Sequence, residues 1–178
     1  MSVTKNSGFS LVEVLMTIVI LMIGLLGLAG LQGRALSAQM EAYQRSQALI
    51  LLKDMTDRMS ANRKNAASYL ATLGTGATCP AAGSSVASSD LNEWCNALMG
   101  AAEVQSGVGN VGTVIGARGC ITQTVAPASG VASQYQVAVA WQGLNSTAAP
   151  TITCGVGQYG NEALRRVVAM PVSIADLE

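Results

Sequence analysis

Residues 9–31 form a run of 23 positions that carries a single charge, that of Glu13. At a rise of about 1.5 Å per residue, such a run wound as a helix crosses the roughly 30 Å hydrocarbon core of a bilayer. It is therefore predicted to be a transmembrane helix. The residues before it are few and polar with one cation, Lys5, which holds that end in the cytoplasm and sends the rest of the chain across. A cleavable secretory signal is the plainer reading, because Gly27, Leu28 and Ala29 offer small residues after a hydrophobic stretch. Two features oppose it. The apolar run exceeds the usual h-region of about 7–15 residues. Glu13 would also cost roughly 2–3 kcal/mol on insertion scales if it sat near the bilayer centre, and a discarded segment has no reason to keep it.

The rest of the composition narrows the field. Among 178 residues, half are hydrophobic and 11% are charged, which suits one domain of ordinary size plus an appendage. Ten basic and ten acidic side chains cancel, so no net field would hold nucleic acid, and none is expected as a partner. Histidine is absent. That removes the commonest general base near neutral pH and the commonest zinc or copper ligand, so neither an enzyme, a cofactor nor a metal site is expected. The four cysteines, Cys79, Cys95, Cys120 and Cys154, form no C-x-x-C pair and are read as two structural disulfides facing the periplasm or exterior. Three pairings remain open. Cys95 is near enough in sequence to pair with Cys79, and Cys120 with Cys154 would staple a loop to the sheet.

Beyond Gln32 the chain turns amphipathic, with Leu36, Met40, Tyr43, Leu51, Met55 and Met59 at steps of three, four and eight among charged residues. This stripe is expected to be core, and the membrane helix to continue to residues 60–65. Residues 74–89, rich in Gly, Ser and Ala, read as a loop tethered by Cys79. A short helix is expected to follow, opened by Asp90 and Glu93 in a capping-box-like spacing, with Leu91, Trp94, Leu98 and Met99 on one side. Gly107-Val108-Gly109-Asn110-Val111-Gly112 satisfies G-x-G-x-x-G. No convincing strand precedes it and no acid follows at about twenty residues, so it is read as a flexible loop. Strands are predicted over residues 120–125, over Tyr135, Val137, Val139 and Trp141 alternating with Gln136, Ala138, Ala140 and Gln142, and over residues 164–172. Adjacent Arg165 and Arg166 would point to opposite sheet faces, one exposed and the other paired or at an interface. Asn145-Ser146-Thr147 is read as a loop tip.

The string Lys5-Asn6-Ser7-Gly8-Phe9-Ser10-Leu11-Val12-Glu13-Val14-Leu15 resembles the class III signal of type IV prepilins and pseudopilins: a short basic leader ending in Gly, then Phe, then Glu four residues on. The resemblance implies an α+β, type IV pilin-like fold, with a long N-terminal helix packed on a small antiparallel sheet. Its parts would be a cleaved leader (1–8), a transmembrane and filament-core helix (9–31), an amphipathic continuation (32–64) and a periplasmic head (65–178). It implies cleavage by prepilin peptidase between Gly8 and Phe9 and methylation of the Phe9 amine. Glu13 would neutralise that amine on a neighbouring subunit and set filament register, since an unpaired charge in a packed fibre core is expensive. Gly24, Gly27 and Gly30, with Gly33, recur every third residue. They serve either close helix packing or a soft segment.

IGLLGLAGLQ (23–32), MTDRMSANR (55–63), VAWQG (139–143) and GNEALRR (160–166) further resemble the PilV group of type IVa pilus modification proteins. That likeness implies a low-abundance complex with other minor pilins and the major pilin, priming assembly at a tip that carries a PilY-type adhesin. The protein would sit in the bacterial inner membrane before assembly and on the cell-surface pilus afterwards. A minor pseudopilin of type II secretion and an anchored periplasmic enzyme or binding protein are the rival readings.

Overall fold

The structure is a computed structural model and describes residues 8–101, 104–106, 109–110 and 114–175. The leader residues before Gly8, including Lys5, lie outside the described residues, as do Gly107, Val108, Val111 and Gly112 of the glycine-rich motif. The chain forms two compact units, Met1–Met40 and Glu41–Glu178, with helix α1 (Leu11–Ala61) running through both. In the first unit the helix is apolar all round and its residues 11–36 are all exposed. Its most apolar stretch has a mean hydropathy of 2.7 and none of it is buried.

In the second unit Gln44, Ala48, Leu51, Leu52, Met55, Thr56 and Met59 are buried. Their spacing of three and four residues puts them on one stripe. The expected stripe is thereby corrected in its first half. Leu51, Met55 and Met59 are core, but Leu36, Met40 and Tyr43 are 62%, 51% and 51% exposed. Leu36 and Met40 belong to the first unit, and Tyr43 lies about 100° round the helix from buried Gln44. A 3₁₀ segment, Arg63–Tyr69, follows the helix and ends on buried Tyr69.

Helix α2 spans Val86–Leu98 and begins inside the stretch expected to be loop. Its cap is Ser85, whose side chain accepts the Ser88 amide at 3.2 Å. Ser fills this role because its short hydroxyl replaces the missing partner of a first-turn N–H. Ala87, Leu91, Trp94, Cys95 and Leu98 form its buried face, whereas Met99 caps the helix and is 36% exposed.

Four antiparallel strands stand in the order β1 (Ala71–Gly74), β4 (Arg118–Val125), β5 (Ser133–Gln142), β6 (Arg165–Ile174). Strand β1 was not expected from the sequence, being four residues without alternation. A separate ribbon pairs β2 (Val104–Gln105) with β3 (Gly109–Asn110), so the described part of the glycine-rich motif is strand rather than loop. The register sets Cys120 opposite Ala138 and Ala138 opposite Ala169.

Both faces of this sheet are covered. Ile121, Tyr135, Val137, Val139, Trp141 and Val172 share the main core with Leu52, Met55, Met59 and Trp94. On the other face Cys120, Ala138 and Ala140 pack with Cys154 and Tyr159 from the loop between β5 and β6, so the small residues of β5 are interior too. Burial pushes the Tyr159 phenol up to about 12, and its hydroxyl donates to the Gly116 carbonyl at 2.9 Å. Gly119 makes the helix-to-sheet packing possible. A Cβ there would lie 2.2 Å from the Trp94 ring, closer than real Cβ contacts come.

Candidate functional site

Gly8, Phe9 and Ser10 precede the helix in exposed, non-helical chain, and Phe9 is 84% exposed. The Ser10 carbonyl accepts the amides of Glu13 at 3.0 Å and Val14 at 3.3 Å, so the helix starts immediately after it. Glu13 stands in the first turn, where unpaired backbone amides favour a carboxylate, and it is exposed with no ion-pair partner among the described residues. The exposed Gly8–Phe9 bond, a helix start and an exposed carboxylate are thus gathered within six residues of chain, 8 to 13. Helix α1 continues without a break through Gly24, Gly27, Gly30 and Gly33, and a Cβ at any of them would meet nothing within 4 Å.

In the head, ion pairs join parts of the chain far apart in sequence at two places. Arg58 bonds Asp54 one turn earlier at 3.0 Å, and Asp90 at 2.9 Å and Glu93 at 2.7 Å on α2. Burial works against the Arg58 charge, but Glu93, Asp90 and Asp54 outweigh it and hold its pKa above the ordinary arginine value. Asp90 also accepts the Tyr69 hydroxyl, whose pKa burial and that carboxylate raise to about 12. The expected capping role of Asp90 and Glu93 is therefore corrected. They sit about one and two turns inside α2 and face Arg58, because Ser85 has already capped the start.

The second place joins Glu41 to the far end of the chain. One Glu41 carboxylate oxygen accepts the amides of Leu144 at 3.1 Å and Asn145 at 2.9 Å and the guanidinium of Arg166 at 3.3 Å. Partial burial opposes ionisation of Glu41, yet the Asn145 amide and Arg166 prevail and its pKa is lowered. Asn145, expected at a loop tip, lies in the β5–β6 loop and is tied down through its amide and through its carbonyl, which accepts from Arg166. Neither arginine of the pair is free. Arg165 is 2% exposed and Arg166 is 15% exposed in their side chains, where one solvated arginine was expected. No sequence signal marked Glu41, since its partners lie more than one hundred positions away.

Two family models match this chain. One, for the prokaryotic N-terminal methylation motif, covers residues 3–29. The other, described as type IV pilin Tt1218, covers residues 30–101. The chain thus carries a prokaryotic N-terminal methylation motif, and its long helix on a small antiparallel sheet is a pilin-like fold. No curated protein and no solved structure matches it. The methylation motif is the mark of a prepilin peptidase substrate and of subunits that assemble with other pilins, and the pilin-family match points to a structural protein.

Within this pilin-like chain the four cysteines form two disulfides, Cys79–Cys95 and Cys120–Cys154. The first ties the approach to α2 onto that helix, beside the bond from the Asn92 amide group to the Pro80 carbonyl at 2.6 Å. The second ties the β5–β6 loop to β4. Gly8, Phe9, Glu13 and the helix glycines all lie in the first unit, and the disulfides all lie in the second.

Proposed function

We propose that this pilin-like chain is a minor pilin of the PilV group, cleaved between Gly8 and Phe9, methylated on the Phe9 amine and built into a type IVa pilus through α1. The carrying observation is the match to the methylation motif, on a helix that exposes apolar side chains all round and one carboxylate in its first turn. Such a helix satisfies its own backbone in lipid, and equally among like helices. Glu13 then meets the amine of a neighbour's Phe9, which accounts for a charge retained in an apolar surface. Before assembly the chain spans the inner membrane with its N-terminus cytoplasmic and its head periplasmic. In the pilus it joins other minor pilins and the major pilin in a tip-associated complex that primes assembly and carries a PilY-type adhesin. The four stretches of PilV-like sequence support the finer assignment.

Intact mass and N-terminal sequencing of the protein from sheared pili and from inner membranes of the same cells test this directly. An N-methylated Phe9 start in both fractions is expected. A start after Ala29, or an intact Met1 confined to membranes, would overturn it. Recovery of the processed form in membranes but never in pili would favour a pseudopilin. Glu13→Gln is expected to reduce incorporation severely, and wild-type incorporation of that variant would remove the register role.

A further inference from the structure

The loop between β5 and β6 is attached to the sheet by more than its disulfide. Arg165, at the start of β6, donates from one terminal nitrogen to the Ile152 carbonyl at 2.5 Å and the Cys154 carbonyl at 3.0 Å. The other donates to the Pro150 carbonyl at 2.9 Å, and Nε donates to Glu162 at 2.5 Å. The second Glu162 oxygen accepts the Gly157 amide at 2.7 Å. Every guanidinium nitrogen is therefore engaged in a side chain that is 2% exposed, as a buried cation requires. Three acceptors come from alternate residues, 150, 152 and 154, in a stretch that bends at 151 and 152, so the backbone up to Cys154 is curled round the guanidinium and gripped whatever its side chains are.

We infer that Arg165 is a positioning residue for the Cys120–Cys154 disulfide, ordering residues 150–154 while Cys154 is still a thiol. The sheet places both fixed points without help from the loop. Pairing of Gln142 with Arg165 sets where the guanidinium starts, and pairing of Ala138 with Cys120 sets the receiving sulfur. Only the loop between the paired ends Gln142 and Arg165 has to move, and fixing it over β4 is an entropic loss that the carbonyl contacts offset before any covalent bond exists. Closure of the bond removes two electrons and two protons from the Cys120 and Cys154 thiols. An oxidised dithiol carrier, or glutathione disulfide in a tube, takes them up as its own disulfide becomes two thiols. Arg165 touches neither sulfur; it selects one of three possible pairings by holding the Cys154 backbone. The inference is independent of the pilin reading, since it concerns how the head closes in any oxidising compartment.

The test starts from reduced, denatured full-length chain, diluted into detergent with a glutathione redox buffer, quenched by alkylation and mapped by peptide mass. In Arg165→Met, formation of Cys120–Cys154 is expected to slow by about tenfold, the weight of roughly one charge-assisted hydrogen bond. Mispaired species should accumulate while Cys79–Cys95 forms at its usual rate. Wild-type rate and pairing in that variant would overturn the inference. A second chain, with Cys120→Ser and Cys154→Ser but Arg165 intact, is read by amide exchange at residues 156–158. Protection within about tenfold of wild type upholds the role, on the scale of losing one linkage. Exchange as fast as in the denatured chain shows that the disulfide orders the loop and overturns it, and this readout decides alone if Arg165→Met fails to fold.

Discussion

Residues 11–40 and 44–59 belong to one helix, yet nothing in the first stretch is buried and seven residues in the second are. The first is the more hydrophobic of the two. Apolarity therefore marks different things along the same element: all round the axis it marks a surface awaiting lipid or other helices, and as a stripe it marks a core already filled. The difference follows from polar residues rather than apolar ones. Arg45, Lys53 and Asp57 leave one side of the second stretch to solvent and so define the other as interior, whereas the only charged residues of the first stretch are Glu13 and Arg34.

This contrast can be broken most directly at Trp94. Truncation to Ala removes a fully buried ring and its hydrogen bond to the Leu51 carbonyl, and should destabilise the head by about 3–5 kcal/mol in denaturant titrations in detergent. Leu25→Ala, in the uncovered stretch, should leave the same titration unchanged within about 0.5 kcal/mol. If it does not, that part of the helix has an intrachain cover. Gly119→Ala attacks the same packing from the sheet side, and overpacking against Trp94 should cost about 1–3 kcal/mol. Glu41→Gln should cost about 1 kcal/mol and loosen the chain around Asn145, visible as faster amide exchange at residues 144–145.

The smallest effect is acid sensitivity. Glu41 and Glu162 both have lowered pKa values, Glu41 because the Asn145 amide and Arg166 overcome its burial, Glu162 chiefly because of the Gly157 amide and then Arg165. A depressed carboxylate contributes stability that is present above its unfolded value and lost as pH falls through the folded one. Head stability should thus decline from the ordinary carboxylate range downward, and Glu41→Gln should flatten part of that decline. An unchanged profile in the variant would show that Arg166 is satisfied elsewhere.

The long helix was legible because 23 residues with one charge leave few other solutions. Two misreadings and one feature that was not foreseen have physical causes. Helix α2 was placed late because Val86, Ala87, Ser88 and Ser89 have loop-like composition, and the burial of Ala87 that recruits them is a tertiary fact. Strand β5 read as alternating large and small residues, but alanines also suit a second buried face when a loop lies close over them, and a loop's path is not periodic. The arginine pair was correctly split between faces, yet the partners that bury both come from residues 41, 145, 150, 152 and 154. At the N-terminus, by contrast, the matched methylation motif is one contiguous run, residues 3–29. Local motifs survive translation into sequence; sites assembled from distant backbone carbonyls leave no letters behind.

The empty space around Gly24, Gly27, Gly30 and Gly33 gives the geneticist an unusual instrument. A methyl group added at any of them touches nothing in its own molecule and even favours the helix by about 1 kcal/mol. Alanine there breaks no contact among the described residues, so a defect confined to one side of the helix is a message from a second molecule, whereas an equal defect at all four reports the stiffer helix. A four-position alanine scan would in this way chart which side of the helix is spoken for in the living cell, with no need to isolate the assembly.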